Sequence, residues 1–131
     1  LKVLSKESGL LGLSGVSNDL RLVLQAMDEG NAQAKLAVDT LVDNIVGYIG
    51  MYAAYLGGLD ALVFTGGIGL HSDRIRKMVC CRLGYLGLAL DEEKSAAANT
   101  ERISTVGSSV AVYRIKTDEE IVVARNVYTL L

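Results

Sequence analysis

Three glycines within four positions leave bare backbone directly after an apolar segment, in the run Val63-Phe64-Thr65-Gly66-Gly67-Ile68-Gly69-Leu70-His71-Ser72. A strand-to-helix turn without side chains lets a ligand approach the main chain. The helix start that follows adds unpaired amides and partial positive charge, which suits an anion or a nucleotide. The best-known signatures are incomplete: Gly67-Ile68-Gly69-Leu70-His71-Ser72 lacks the third glycine of a dinucleotide fingerprint, and no Gly-Lys-Ser/Thr follows for a P-loop. On pattern alone, a tight turn without a ligand and a nucleotide site stand side by side.

A second group is acidic. Thr117-Asp118-Glu119-Glu120 reads as a helix start, with Thr117 and Glu120 at capping-box spacing. The helix dipole accounts for all three carboxylates. The functional alternative is that one of them turns away to hold hydrated Mg²⁺, which takes hard oxygen ligands and keeps several waters. With Glu120 assigned to the capping box, Glu119 is the metal candidate. His71 is the only histidine, which excludes a His-rich metal site and a Ser-His-Asp triad with a spare His. Arg21 reads either as an anion contact or as an exposed side chain.

These residues need elements to position them. Ser17-Asn18-Asp19 offers side-chain oxygens for a helix start, and a helix is expected over about Asp19 to Glu29, after a Gly- and Ser-rich lead-in from Glu7. From Ala32 to Leu56, apolar residues recur at three- and four-residue steps, as in one long helix. Gly47 and Gly50 within it cost stability unless another backbone packs there, and Gly57-Gly58 is its stop. Asp60 to Thr65 reads as a short strand buried on both faces. Asp73 to Leu83 reads as a helix capped by Ser72 or Asp73, with Ile75, Met78, Val79 and Leu83 inward and Arg74, Arg76 and Lys77 elsewhere. Gly84 to Asp91 reads as a turn and a short extended piece, and Asp91 to Asn99 as polar and irregular. Ser109 to Ile115 alternates as a second strand, and a last helix runs to about Tyr128. This order describes an α/β unit.

A chain of 131 residues, half of them hydrophobic, is expected to form one domain over 1–131. A formal net charge of -2 gives no electrostatic footprint for nucleic acid. No apolar window reaches the roughly 20 residues a bilayer crossing needs, and no secretory signal is visible. A soluble cytoplasmic protein is therefore expected. Cys80 and Cys81 are adjacent, so two reduced thiols are expected rather than a mutual disulfide. The sequence contains no proline, which leaves the turns to its 14 glycines and to Asn, Asp and Ser.

The strings SGLLGLSGVSNDLR, GGLDALVFTGGIG, RLGYLGLALD and VYRIKTDEEIVVAR resemble the C-terminal portion of the acetate and propionate kinases, in the same order and with similar spacing, over nearly the whole chain. The resemblance implies the C-terminal segment of the second, nucleotide-binding domain of an actin-like ATPase fold, ribonuclease H-like, in the sugar kinase, Hsc70 and actin superfamily. It implies transfer of the γ-phosphoryl of ATP to acetate or propionate, with Mg²⁺ across the phosphates, and a homodimer built through this domain. By position, Asp19, Leu20 and Arg21 match one nucleotide-contacting segment, and Gly67, Ile68, Gly69, Leu70 and His71 match the nucleotide-binding glycine loop. Glu119 matches the magnesium-site glutamate. The family reads GGIGEN where this chain reads GGIGLH, so Leu70 and His71 replace an acidic residue and an amide. The family's phosphate loop, substrate-side arginines, catalytic Asp and phosphate-contacting histidines are not matched in these 131 residues. The chain alone is therefore expected to have no turnover, and a non-catalytic interaction module or a degenerate relative stand as alternatives.

Overall fold

A computed structural model of the chain describes residue 3, residues 7–98 and residues 100–128, apart from the side chains of Glu119, Val122 and Ala124. The chain divides into two compact units, Leu1–Gly58 and Leu59–Leu131.

The first unit is helical. Its lead-in, read as Gly- and Ser-rich, folds into a short helix α1 (Gly9–Ser14). Asp19 then opens α2 (Leu20–Asp28) by accepting a hydrogen bond from the Arg21 amide. Asn31 opens α3 (Ala32–Leu56), its side chain accepting from the amides of Gln33 and Ala34, a cap of the kind that contributes about 0.5–2 kcal/mol. Both α1 and α2 pack on α3, where Ala34, Ala37, Val38 and Val42 are buried. The other half of α3 is different. Tyr48, Met51, Tyr52, Tyr55 and Leu56 are exposed there, Tyr55 at 81%, and the rings of Tyr48 and Tyr52 stack at 6.4 Å. Among the described residues, a Cβ added at Gly47 would meet nothing within 4 Å, so none of their backbone packs against that glycine.

The second unit is α/β. Strand β1 (Ala61–Phe64) pairs in parallel with β2 (Ala111–Arg114), with Val63 opposite Tyr113 and Phe64 opposite Arg114. Between them lie α4 (Gly66–His71), α5 (Asp73–Arg82), a 3-10 turn (Gly84–Leu86) and α6 (Glu92–Ala96), and α7 (Glu119–Tyr128) follows β2. β1 is not buried on both faces as its apolar run suggested: Phe64, Val112 and Arg114 are buried, whereas Ala61 is exposed and Val63 is 49% exposed. The two-stranded sheet of this chain covers its apolar residues on one side only. Residues read as irregular form α6, capped by Asp91, which accepts from the Lys94 amide at 3.1 Å. On the other side of β2, Arg102 bridges Tyr113 in antiparallel fashion, with the Ile103 amide donating to the Val112 carbonyl at 2.8 Å.

Helix α5 buries Ile75, Val79 and Cys80, and Arg76 with them, the last contrary to its expected place away from the apolar face. Its i, i+3 and i+4 neighbours Val79 and Cys80 lie on that same inward stripe. Both cysteines are free. Burial, aided by the neighbouring Cys81, pushes the Cys80 thiol up to about 12, while exposed Cys81 donates to the Met78 carbonyl. Among the described residues no helix is long and apolar enough to cross a membrane.

Candidate functional site

The glycine run is itself helical rather than a loop. Thr65 is extended, Gly66 takes φ +68 in the left-handed region, and α4 starts at once. A side chain at Gly66 would strain the backbone. Gly69 is required for a different reason: a Cβ there would stand 3.2 Å from the Phe64 carbonyl carbon, so α4 lies directly against the end of β1. Gly67 and Ile68 are exposed, Gly69 and Leu70 partly buried and His71 exposed. As in any helix, the first four amides of α4 have no intrahelical acceptor.

A second turn meets this one. Thr65 Oγ1 donates to Thr117 Oγ1 at 3.1 Å, tying the end of β1 to the connection between β2 and α7 across 52 positions of sequence. A cavity of about 560 Å³ lies between them. One wall is Gly66, Gly67, Leu70 and His71, and the other is Lys116, Thr117, Asp118 and Glu120. Of the residues expected at the site, Gly67, Leu70 and His71 line this space. Gly66, Lys116 and Thr117 join them, none of which the sequence had assigned to a ligand. The pairing of β1 with β2 was the signal for these, since parallel neighbours carry their C-terminal connections to the same end of a sheet.

The expected capping box is corrected. α7 starts at Glu119, so Asp118 is its cap and accepts from the Ile121 amide at 3.2 Å, leaving the Thr117 hydroxyl to Thr65. Glu120 is therefore not a box partner, and the elimination that singled out Glu119 loses that support. Glu119 is the first residue of α7, and its side chain lies outside the described residues. Among the described residues no three of His, Cys, Asp and Glu gather as a metal-holding group. Mg²⁺ needs fewer protein ligands, usually one or two carboxylates beside waters and phosphate oxygens. The acidic wall at Asp118 and Glu120 fits that chemistry.

In the first unit, Asp19 and Arg21 bind each other. Arg21 Nε reaches Asp19 Oδ1 at 3.1 Å and Oδ2 at 3.2 Å, and Nη2 reaches Oδ2 at 2.6 Å. The Arg21 side chain is 88% exposed. Its guanidinium, followed by its backbone amide, holds the Asp19 carboxyl at about 2, below the ordinary 3.8. Leu20 is buried, so its side chain packs inward.

These elements place the second unit among α/β structures with a glycine-rich turn at the end of a parallel strand, the arrangement of many phosphate-handling folds. The acetate kinase of Porphyromonas gingivalis superposes on 98% of this chain and 33% of its own length, with a TM-score of 0.87 at 39% identity. That of Entamoeba histolytica superposes on 98% and 35%, at 0.85 and 34%. The fold is thus part of the actin-like fold of those kinases. A model of the acetokinase family matches residues 1–125, and the chain belongs to that family. It is 48% identical over 126 residues to the acetate kinase of Clostridium novyi, covering 95% of this chain and 31% of that protein. A propionate kinase of Salmonella typhimurium is 52% identical over 126 residues, covering 96% and 31%. The chain thus spans about a third of the length of the relatives it matches.

Proposed function

We propose that this chain is the C-terminal nucleotide-binding part of an acetate kinase, which transfers the γ-phosphoryl of ATP to acetate to give acetyl phosphate and ADP. One observation carries the reading: in a member of the acetokinase family, the glycine helix and the β2–α7 turn face each other across one cavity, with bare backbone on one wall and Lys116, Thr117, Asp118 and Glu120 on the other. Phosphoryl transfer is catalysed mainly by positioning and charge stabilisation, and the parts proposed here are positioning parts. The backbone of Gly67, Ile68 and Gly69 contacts the nucleotide, with Leu70 and His71 beside it. Asp19, Leu20 and Arg21 are the nucleotide contacts of the first unit. When bound, magnesium neutralises phosphate charge. Glu119 is its proposed ligand, with Asp118 and Glu120 supplying the acidic surroundings.

The acyl substrate, acetate or propionate, is held by parts of the family fold that these 131 residues do not match. The chain by itself accordingly gives no acetyl phosphate. A cytoplasmic location and one domain over 1–131 belong to the same proposal. Calorimetric titration with ADP and Mg²⁺ tests it: saturable heat is expected, and its absence together with no thermal shift removes nucleotide binding. Glu119→Ala is expected to weaken Mg-nucleotide more than nucleotide alone, and an equal loss of both argues for a role at the helix start instead.

A second reading, a homodimer formed through this chain, is favoured by the exposed aromatic face of α3 at Tyr48, Tyr52 and Tyr55. Light scattering tests it, and a monomer at high concentration counts against it.

A further inference from the structure

Two arginines lie buried in the second unit, Arg76 at 1% exposure and Arg114 at 8%. Among the described residues, the hydrogen bonds recorded for both guanidinium groups go to oxygens of the backbone or of Ser95, and none to a carboxylate. Arg76 Nη1 reaches the carbonyls of Gly69 at 2.7 Å and Leu70 at 3.0 Å. Its Nε donates to Ser95 Oγ at 3.0 Å and its Nη2 to the Ser95 carbonyl at 2.5 Å. Arg114 Nη1 reaches that same Ser95 carbonyl at 3.4 Å, and its Nη2 the carbonyls of Ala97, Ala98 and Thr100. Burial, followed by the neighbouring Arg114 charge, lowers the Arg76 pKa from its ordinary value.

A buried cation whose hydrogen bonds go to no carboxylate, with Asp73 favouring its charge only through space, is costly to keep for packing alone, since an apolar side chain of similar length would fill the space. The carbonyls it holds supply the reason. α4 has six residues, too few to hold together on its own propensity, and its last carbonyls have no intrahelical donor. Ser72 ends it in an extended conformation and satisfies only the Ile68 carbonyl, at 3.0 Å. Arg76, one turn into α5, satisfies the next two. α5 is in turn anchored by the buried Ile75 and Val79.

We propose that Arg76 is a positioning residue for the glycine helix: it fixes residues 66–71 against α5 and the Ser95 carbonyl, and Arg114 braces that carbonyl from β2. The consequence for ligand affinity rests on the nucleotide reading above. The planar fork is essential, because a lysine presents its three donors from one point and cannot span acceptors on both sides.

Hydrogen exchange and calorimetry on the 131-residue chain test this with Arg76→Lys and Ser95→Ala. For Arg76→Lys, exchange at Leu70, His71 and Ser72 is expected to accelerate about tenfold while Val112 keeps its protection, a local opening rather than a global one. The dissociation constant for Mg-ADP is expected to rise about tenfold, equivalent to about 1.4 kcal/mol. Ser95→Ala, which retains the carbonyl bond and loses the hydroxyl, is expected to give a smaller change in the same direction, and decides the matter if the lysine variant does not fold. Unchanged exchange at residues 70–72, or equal acceleration there and at Val112, overturns the proposal. So does unaltered nucleotide affinity when exchange has changed. If the wild-type chain binds no Mg-ADP, the nucleotide reading fails and the exchange contrast alone decides the positioning role.

Discussion

The entry to α2 and the corner between α4 and α5 each present an arginine beside a proposed nucleotide contact, and they hold it in opposite ways. At α2, Arg21 pairs with a carboxylate two positions away, in solvent, and the local chain supplies every partner. At the α4–α5 corner, Arg76 is buried and its partners are carbonyls six, seven and nineteen positions distant. An exposed pair gains little because water and salt screen it. A buried donor set leaves its acceptors stranded when removed. The first arrangement can be lost without the fold noticing. The second makes the glycine helix part of the core.

The largest effect that can break this contrast is Arg76→Met, which strands the Gly69 and Leu70 carbonyls and leaves that of Ser95 to Arg114 alone. A loss of about 3 kcal/mol or more is expected from urea unfolding, and a loss below about 1 kcal/mol would mean that water serves those carbonyls equally well. Next is Gly69→Ala, where the new Cβ meets Phe64 backbone at 3.2 Å. Overpacking against main chain predicts a cost of about 1–3 kcal/mol, and an unchanged midpoint would show that α4 is free to move off β1. Gly66→Ala tests conformation without contact, because nothing lies within 4 Å of its Cβ and only φ +68 resists it. About 1–2 kcal/mol is expected, with Gly66→Asn milder than Ala.

The smallest effect belongs to Arg21→Ala, for which only a slight shift of the unfolding midpoint is expected, because the pair is exposed and screened. Its signature is electrostatic. The Asp19 carboxyl, held at about 2, should move up toward its ordinary 3.8 in the variant when followed by carboxyl NMR, without reaching it, because the amide at position 21 still donates to it. Because the folded value is depressed, the pair's contribution is present above about pH 4 and fades as pH falls through about 2. A midpoint near 3.8 in the wild-type chain would remove the pair from solution.

The same contrast explains what was legible in the sequence. The bounds of α2 and α3 were readable because Asp19 and Asn31 cap through neighbours two or three positions away, and because the apolar steps of α3 are long and regular. α6 was not, since it is short and its Ser95 is buried by arginines from α5 and β2, each 19 positions distant. Arg76 was placed away from the apolar face by its charge, although its spacing from Val79 and Cys80 pointed inward. The glycine turn was readable as a candidate site, but its opposing wall depends on strand pairing between residues 61–64 and 111–114, which no local pattern reports. The capping box failed by a single residue: α7 starts at Glu119, which gives the cap to Asp118 and Thr117 to Thr65.

The half-covered sheet has a practical consequence for handling the chain. β1 has no strand on its outer edge among the described residues, and Val63 beside that edge is half exposed. An open edge bordered by apolar side chains is a template for strand addition between copies. The colloidal stability of purified material should therefore fall with concentration faster than its folding stability would suggest. A lysine at position 63, facing outward on the edge strand, is the substitution best suited to keep preparations clear without touching the glycine turn.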